Sequence, residues 1–326
     1  MWFEQLTGFT ETSPVDVRQQ LELSDTKIKS SVNGRSWECG TLEIVKLGDL
    51  RKRIESIATN SPLRVTEDVA NVQELHANPA NSGALFQVAS QFNLLEMVSP
   101  AVTPEQGVGI YENDYTQGPA CAIAAGAGTI YRNYFAKTNG EIGQSASNQI
   151  DCLADLGKAL QNTDERLWKM RNGYALASAD GLDEISRRLQ ESTKDELDKL
   201  RGHLKVGLQW DTQVTLGDCS HLVSQTYCSA LPVAYSSHCS EMWRDFAVLI
   251  LEAAYEATLC AAILNAQKTG NNKVFLTLLG GGAFGNESVW IIDAIDRALR
   301  IHADSGLDVR IVSFRSSNRA LKKLIG

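Results

Sequence analysis

The sequence predicts a three-layer α/β protein, with a mixed β-sheet between two layers of helices. Three observations lead to this prediction. From Leu63 onward, strand-like and helix-like segments alternate, which is typical of α/β layers. The apolar residues 274–279 run into a glycine-rich loop and then a helical pattern. The 326 residues are 43% hydrophobic and 21% charged, as expected for a folded protein with a large core.

The first 62 residues are predicted to form a hairpin and helix layer that packs on a body comprising residues 63–326. Residues 27–33 and 37–45 have strand character and are joined by Asn33-Gly34, a dipeptide that favours a hairpin turn. Residues 47–57 have apolar side chains at helical spacing. The best candidate for a boundary between this layer and the body is residues 59–64.

The body is predicted to contain a largely helical insertion at about residues 138–204. In chain order, the predicted elements are a strand at 72–77, a helix at 84–97, a loop at 101–117, helices at 119–135, 182–200 and 241–267, a strand at 274–279, a helix at 287–302 and a closing strand at 309–314. The most apolar stretch, residues 246–264, contains Glu252 and Glu256, which favours a buried helix over a membrane span.

The charge balance argues against several function classes. Lys and Arg number 31 against 39 Asp and Glu, a net charge of −8, so we expect no nucleic-acid or membrane surface. The seven cysteines include no CxxC pair, and the N-terminal residues do not look like a secretion signal. We therefore expect a cytoplasmic or nucleocytoplasmic protein.

The glycine-rich loop is the strongest functional signal. A strand, a glycine loop and a helix in succession present free backbone N–H groups to an anion, which predicts a diphosphate site. The candidate ligand-binding residues of this loop are Gly280, Gly281, Gly282, Ala283, Phe284, Gly285 and Asn286. Phe284 could stack on a sugar or serve as a core anchor. A glycine turn without a ligand is the alternative.

The position of this loop argues against two nucleotide-binding classes. It lacks the lysine of a nucleoside triphosphatase loop. The glycines satisfy GxGxxG, but a dinucleotide-binding fingerprint belongs on the first strand of its array, and here only one helix and one strand can follow. A dinucleotide-dependent oxidoreductase is therefore the less favoured alternative.

A second polar loop, residues 78–83, follows the predicted strand at 72–77. Its Asn78 and Asn81 have the NxxN spacing found at a strand end in macrodomains, which the sequence here resembles. That resemblance implies that Asn81 reaches the ribose next to the scissile bond and that Gly83 lets the backbone approach the ligand. Capping of the next helix by Asn81 or Ser82 is the alternative.

Several further segments narrow the resemblance to the divergent, MavL-like macrodomain family whose members remove ADP-ribose from arginine. These segments are residues 6–12, 40–43, 84–97, 103–105, 111–122 and 228–235. Glu96 and Glu112 lie in them and join the candidate ligand-binding residues. The resemblance implies ADP-ribose and an ADP-ribosylated protein as partners.

An acidic loop before Pro119 supports hydrolysis at a sugar carbon. Carboxylates stabilise an oxocarbenium-like transition state, and one of them can activate water. Asp114 is the first candidate and Glu105 the second, with Gln117 orienting the water or a ribose hydroxyl. The alternative is that these acids are solvated loop residues, and which of them is the general base stays open.

No metal or cofactor is expected. Cysteines and histidines between residues 219 and 239 lack the spacing of a zinc site, and no GxSxG nucleophile motif occurs. The predicted function is therefore hydrolysis of ADP-ribosylarginine by water at the anomeric carbon. A non-catalytic ADP-ribose reader remains the main alternative.

Overall fold

The computed structural model describes residues 1–57 and 61–325, so residues 59–60 of the predicted boundary lie outside the described part. The helices of this part are α1 Trp2–Thr7, α2 Pro14–Gln20, α3 Leu47–Ile54, α4 Val72–Ala77, α5 Gln117–Ala124, α6 Gly126–Tyr134, α7 Ala154–Ala159, α8 Ala179–Glu191, α9 Lys194–Gly202, α10 Ser240–Thr269 and α11 Ser288–Ile301. The strands are β1 Leu21–Ser24, β2 Lys27–Ser30, β3 Ser36–Glu38, β4 Thr41–Lys46, β5 Arg64–Val69, β6 Leu85–Ala89, β7 Lys137–Thr138, β8 Glu141–Ile142, β9 Trp168–Arg171, β10 Tyr174–Ala177, β11 Lys205–Gln213, β12 Leu222–Cys228, β13 Lys273–Leu276 and β14 Asp308–Ser313.

A seven-stranded mixed sheet forms the centre, in the order β4-β11-β12-β6-β13-β14-β5. The last five of these strands are parallel to one another, and β11 runs antiparallel to both its neighbours. Neighbouring residues of β6 face opposite layers, since Phe86 stacks on His76 of α4 while Gln87 donates a hydrogen bond to Thr258 of α10. The predicted α/β class, a mixed sheet with helices on both faces, is confirmed.

Helix α10 is the hydrophobic centre of one layer. It is buried along most of its length and packs against α3, α8, α9 and α11. In the part of the chain that the structure describes, it is the one helix long and apolar enough to cross a membrane, yet 83% of its most apolar window is buried inside the protein. Its buried Glu256 is neutralised by Arg51 and Arg297, at 2.5 Å and 2.6 Å.

Two neighbouring segments have the opposite secondary structure to the one predicted. Residues 72–77 form a helix rather than a strand, because the Asn71 side chain caps it by accepting from the Gln73 amide at 2.9 Å. Residues 84–97 form β6 and a loop rather than a helix. The side chains of β6 are buried on both faces of the sheet, and a short apolar run of that kind has no period that separates strand from helix.

In the other differences from the prediction, one predicted element is divided into two or a strand lies at an unexpected place in the sheet. The β2–β3 hairpin forms around Asn33-Gly34 as predicted, but the second predicted strand divides and β4 becomes an edge of the central sheet. The helices predicted at 119–135 and 182–200 each divide, into α5 and α6 and into α8 and α9. A capping box between Thr193 and Glu196 starts α9. The insertion contains the hairpins β7–β8 and β9–β10 as well as helices, so it is less helical than predicted.

Candidate functional site

A cavity of about 740 Å³ lies at the carboxyl ends of the parallel strands. Open α/β sheets bind ligands at this edge, where loops from several strands meet. All five parallel strands contribute through residues at or just beyond their ends, namely Ala230 for β12, Ala89 for β6, Thr277 for β13, Phe314 for β14 and Ala70 for β5. The cavity therefore runs across the strand ends rather than along one loop.

The cavity brings together two segments that are far apart in the sequence. The predicted site residues that line it are Glu96, Glu112, Asp114, Gln117, Gly280, Gly282, Ala283 and Phe284. The predicted site residues that do not line it are Asn78, Asn81, Gly83, Glu105, Gly281, Gly285 and Asn286. The acidic loop and the glycine loop thus share one cavity.

The Asn78 to Gly83 segment lies at the other end of the sheet, which corrects its expected place beside the glycine loop. The buried Asn81 side chain donates to the Leu75 carbonyl at 2.9 Å and accepts from Lys273, the first residue of β13. Because β6 and β13 are parallel, the start of β13 is remote from the loop that follows its end. The prediction failed because residues 72–77 form a helix and residues 85–89 form the strand. The Asn78 to Gly83 segment therefore precedes a strand instead of following one.

The glycine loop presents free backbone amides. The amides of Gly282, Ala283 and Phe284 have no hydrogen-bond acceptor within the described residues, whereas the Gly285 amide donates to Gly282 at 3.1 Å and closes the turn. Gly280 has φ +75, and a Cβ there would lie 2.4 Å from the Ala230 Cβ, so only glycine fits. Successive free amides of this kind attract anions.

The remaining predicted members of this loop have structural positions. Asn286 is buried and donates to the Leu231 carbonyl at 2.8 Å, which fixes the loop against the segment after β12. Gly285 has φ +70 and lies against Ala234. Gly281 lines a neighbouring groove instead of the main cavity. These three therefore support the loop from outside the cavity.

Glu96 is the chemically distinctive residue of the site. It is 2% exposed, lines the cavity, and its Oε2 atom has no hydrogen-bond partner in the described part of the chain. Burial raises the pKa of its carboxyl group to about 7, although the Arg132 charge and the Tyr111 hydroxyl group act to lower it. Such a carboxyl group can give or take a proton at neutral pH.

Arg132 stands behind Glu96 in a buried position. It is completely buried, its Nε donates to the Leu94 carbonyl at 3.0 Å, and its guanidinium lies 3.6 Å from the centre of the Tyr227 ring. The Glu96 amide donates to the Tyr111 hydroxyl at 3.0 Å. Both ends of the Glu96 residue are therefore fixed, and the residue lines the cavity while its unpartnered Oε2 atom is itself buried.

The other acids differ in their access to the cavity. Asp114 accepts the Thr116 amide at 2.9 Å, and Glu112 accepts the Trp2 amide at 2.9 Å. Both line the cavity while retaining partly exposed side chains. Glu105 is exposed outside the cavity, where it accepts the Ala146 amide at 2.8 Å, so its expected place in the site is corrected.

Gln117 is at the cavity, but its amide group is already used. Its Oε1 accepts from the Ala89 amide at 2.9 Å and its Nε2 donates to the Gln87 carbonyl at 2.8 Å. These bonds hold the start of α5 to the end of β6. The side chain therefore positions the acidic loop and is not free to orient water, which corrects the role expected from the sequence.

The N-terminal residues form part of the site, a contribution that the sequence did not indicate. Glu11 accepts the amides of Val108 and Gly109 at 2.9 Å and 2.6 Å and the Tyr134 hydroxyl at 2.6 Å. A Cβ at Gly107 would lie 2.4 Å from this carboxylate. The acidic loop thus curls around Glu11, and burial raises the pKa of that carboxyl group.

An aromatic cluster forms another wall that sequence reasoning missed in part. Tyr174, Tyr235 and Phe284 come from three distant segments and have ring centres 5.1–5.6 Å apart. The Tyr174 hydroxyl donates to the Met97 carbonyl at 2.6 Å. Of these three residues, only Phe284 was a candidate from the sequence, because it is an aromatic residue inside the glycine-rich loop. The cluster offers a flat apolar surface to a sugar or a base.

Metal ligands are not assembled in the described ranges, 1–57 and 61–325, where no group of three or more His, Cys, Asp or Glu side chains could hold an ion. Of the cysteines and histidines between residues 219 and 239, His221 hydrogen-bonds the His76 carbonyl at 2.8 Å. Cys228 is buried against α10.

Comparison with known proteins gives similarity in structure only. No protein-family model matches the chain, and no curated protein matches it. Among solved structures, poly(ADP-ribose) glycohydrolase from Deinococcus radiodurans in complex with ADP-ribose is 9% identical with a TM-score of 0.46, covering 87% of this chain and 94% of that one. The enzyme of the same name from Thermomonospora curvata is 11% identical with a TM-score of 0.45, covering 94% and 93%.

These findings overturn the family resemblance drawn from the sequence. The similar structures are poly(ADP-ribose) glycohydrolases, and no family of arginine-directed hydrolases is matched. The assignment to the divergent macrodomain family of ADP-ribosylarginine hydrolases is therefore wrong. The segments that suggested it include β6 and the acidic loop, which the structure explains as buried strand and cavity wall.

Proposed function

We propose that this protein is a glycohydrolase that releases ADP-ribose by breaking an O-glycosidic bond at the terminal ribose. The observation that carries the proposal is Glu96, a buried carboxyl group with a pKa of about 7 in the same cavity as the free amides of the glycine loop. An alcohol leaves a sugar carbon readily only when its oxygen is protonated. A carboxyl group that is half protonated at neutral pH suits this task.

The strand order gives the bound ligand a direction. Glu96 follows β6, the glycine loop follows β13, and Phe314 and Asn71 follow β14 and β5. These four strand ends span roughly 14 Å at the usual strand spacing. We place the terminal ribose at Glu96, the diphosphate on the glycine-loop amides and the adenosine near Phe314. Backbone amides fit this role because the net charge of −8 repels anions elsewhere.

The proposed reaction uses two carboxyl groups. Glu96 gives its proton to the leaving oxygen as the bond from that oxygen to the anomeric carbon breaks. Asp114 takes a proton from the water whose oxygen adds to the same carbon. The products are ADP-ribose and an alcohol, and both carboxyl groups return to their starting states by proton exchange with solvent. Charge on the sugar in the transition state is stabilised by the two carboxylates.

The test separates catalysis from binding alone. The protein, at one hundredth of the substrate concentration, is incubated with a serine-linked ADP-ribosyl peptide, with poly(ADP-ribose) and with an arginine-linked peptide. Released ADP-ribose is measured by chromatography, and ADP-ribose affinity is measured separately by calorimetry. Multiple turnovers on an O-linked substrate support the proposal. Tight binding without turnover would make the protein a reader, and turnover confined to the arginine-linked peptide would contradict the leaving-group argument.

A further inference from the structure

A second groove of about 510 Å³ adjoins the main cavity on the far side of the glycine loop. The two share Thr277, Leu278, Gly282, Val312 and Phe314. The groove is therefore continuous with the end of the cavity where β14 finishes. A ligand that fills the main cavity from Glu96 to Phe314 has its last atoms at the opening of this groove.

The groove is basic in an acidic protein. Arg319 is the one ionisable side chain that lines it, and within residues 1–57 and 61–325 this guanidinium has no hydrogen-bond or ion-pair partner. Residues 315–325 contain two arginines and two lysines and no acid. An unpaired guanidinium in a concave surface is a natural partner for phosphate.

The loop that presents Arg319 is held in place from behind. Glu67 of β5 accepts the hydroxyls of Ser313 and Ser317 and the Asn318 amide, each at 2.6 Å. These three hydrogen bonds fix the carboxylate and hold its pKa below the usual range. Phe314, 61% exposed, lies at the shared rim. The groove is thus a formed surface that carries one formal charge, on the exposed side chain of Arg319.

We infer that the groove binds a phosphate carried on the adenosine side of the substrate, beyond the ADP-ribose unit that fills the main cavity. The inference rests on the proposed function only for the direction in which ADP-ribose lies. Two sources supply this chemistry: a phosphate ester on the adenosine ribose, or the diphosphate of a further nucleotide unit joined to that ribose. Either places an anion beside Arg319.

Calorimetry tests the inference in the Glu96→Gln background, so that no ligand is cleaved. The ligands are ADP-ribose, ADP-ribose phosphorylated on the adenosine ribose, and a dimer of ADP-ribose joined through that ribose. We expect at least one extended ligand to bind about tenfold more tightly than ADP-ribose, the effect of one charge-assisted hydrogen bond. The ligand that gains affinity identifies the source.

Two variants in the same segment control for charge. Arg319→Gln should abolish the gain and leave the affinity for ADP-ribose unchanged. Lys322→Gln removes the same charge outside the groove and should keep the gain. Equal affinities for all three ligands, or a gain that survives Arg319→Gln or is lost equally in Lys322→Gln, would overturn the inference. Absence of turnover in the wild-type protein, with these binding results intact, would refute only the proposed function.

Discussion

The carboxyl group of Glu96 and the guanidinium of Arg132 meet in a buried contact in which Nη2 lies 3.5 Å from Oε1. Both side chains are almost inaccessible to water, so neither charge is screened. The contact is longer than a good ion pair, and one atom of each group, Oε2 and Nη1, has no partner in the described structure. Desolvation therefore outweighs the attraction of Arg132, and the carboxyl group keeps its proton to unusually high pH.

Replacement of Glu96 by glutamine tests the general acid. Glutamine has the same shape but cannot give up a proton, so turnover of an O-linked substrate should fall by about 10²–10⁴-fold. ADP-ribose affinity should change little, because the diphosphate is held by the glycine loop. Single-turnover kinetics and calorimetry give the two quantities. Glu105→Gln, on the same loop but outside the cavity, is the matched control and should retain wild-type rates.

The pH dependence of activity follows from the same carboxyl group. As the pKa of Glu96 is about 7, kcat/KM for an O-linked substrate should decrease as pH rises above that value. Tyr111→Phe removes a hydroxyl group that lowers this pKa, so its activity should persist to higher pH. Initial rates between pH 5 and 9 measure both profiles. Superimposable profiles for the two proteins would contradict the assignment.

Stability should depend on pH through Glu96 with a defined sign. Between about pH 4.5 and 7 the folded protein keeps a proton that unfolded Glu96 has released. The free energy of unfolding should therefore decrease as pH rises through this window, and the decrease should be smaller in Glu96→Gln. Urea unfolding at pH 5, 6, 7 and 8 measures it. Burial also raises the pKa of Glu11, so part of the trend should remain in the variant.

Asp114 is expected to act on the water. Asp114→Asn should lower turnover by orders of magnitude while ADP-ribose affinity is largely kept, since the diphosphate is bound elsewhere. The amide oxygen can still accept the Thr116 amide, so the loop should keep its turn. Asn113→Ala, beside it and exposed, is the control. Near-normal release of ADP-ribose by Asp114→Asn would transfer the role to Glu112, the other acid of this loop at the cavity.

The glycine loop gives a test of binding alone. A Cβ at Gly282 meets nothing within 4 Å, and its backbone does not have a positive φ, so substitution should not disturb the fold. Gly282→Glu places a carboxylate beside the free amides and should reduce ADP-ribose affinity by at least about tenfold through charge repulsion. Gly282→Ala should bind almost normally. Equal affinities in calorimetry would show that the diphosphate lies elsewhere.

Glu11 should couple the N-terminal residues to the activity. Glu11→Ala leaves the Val108 and Gly109 amides and the Tyr134 hydroxyl without their acceptor, a loss of about 2–4 kcal/mol in the free energy of unfolding. Turnover should fall as well, because the acidic loop loses its anchor. Glu4→Ala, on an exposed carboxylate near the same layer, should be close to wild type in denaturant unfolding. An unchanged turnover rate in Glu11→Ala would show that the N-terminal residues do not contribute to catalysis.

The glycine loop and the acidic loop were predictable because each has a local signal. Glycines between a strand and a helix, and acids just before the first turn of a helix, have a physical reason that holds wherever the chain folds. The misplaced Asn81 shows the limit. Its role depended on whether residues 72–77 or 85–89 formed the strand, and both are short segments whose type is decided by tertiary burial.

Arg132 and Glu11 could not be assigned to the site from the sequence. Arg132 lies in the buried helix α6, and its partner Glu96 is 36 residues away in a segment predicted to be helical. Glu11 meets the acidic loop across 97 residues. Contacts between residues so far apart in the sequence depend on how the layers pack, and no local sequence pattern predicts them.

The pairing of β5 with β14 has a consequence for how the chain reaches its folded state. These two strands meet residue by residue from Arg64–Asp308 to Val69–Ser313, across most of the sequence. During synthesis from the N-terminus, β5 emerges long before its neighbour exists, and the long apolar α10 emerges before β13 and β14 can close the sheet. Until β13 and β14 are synthesised, the nascent chain therefore exposes apolar surface that the folded protein buries. Binding by chaperones and the late formation of the complete central sheet should then govern the yield of native protein in the cell.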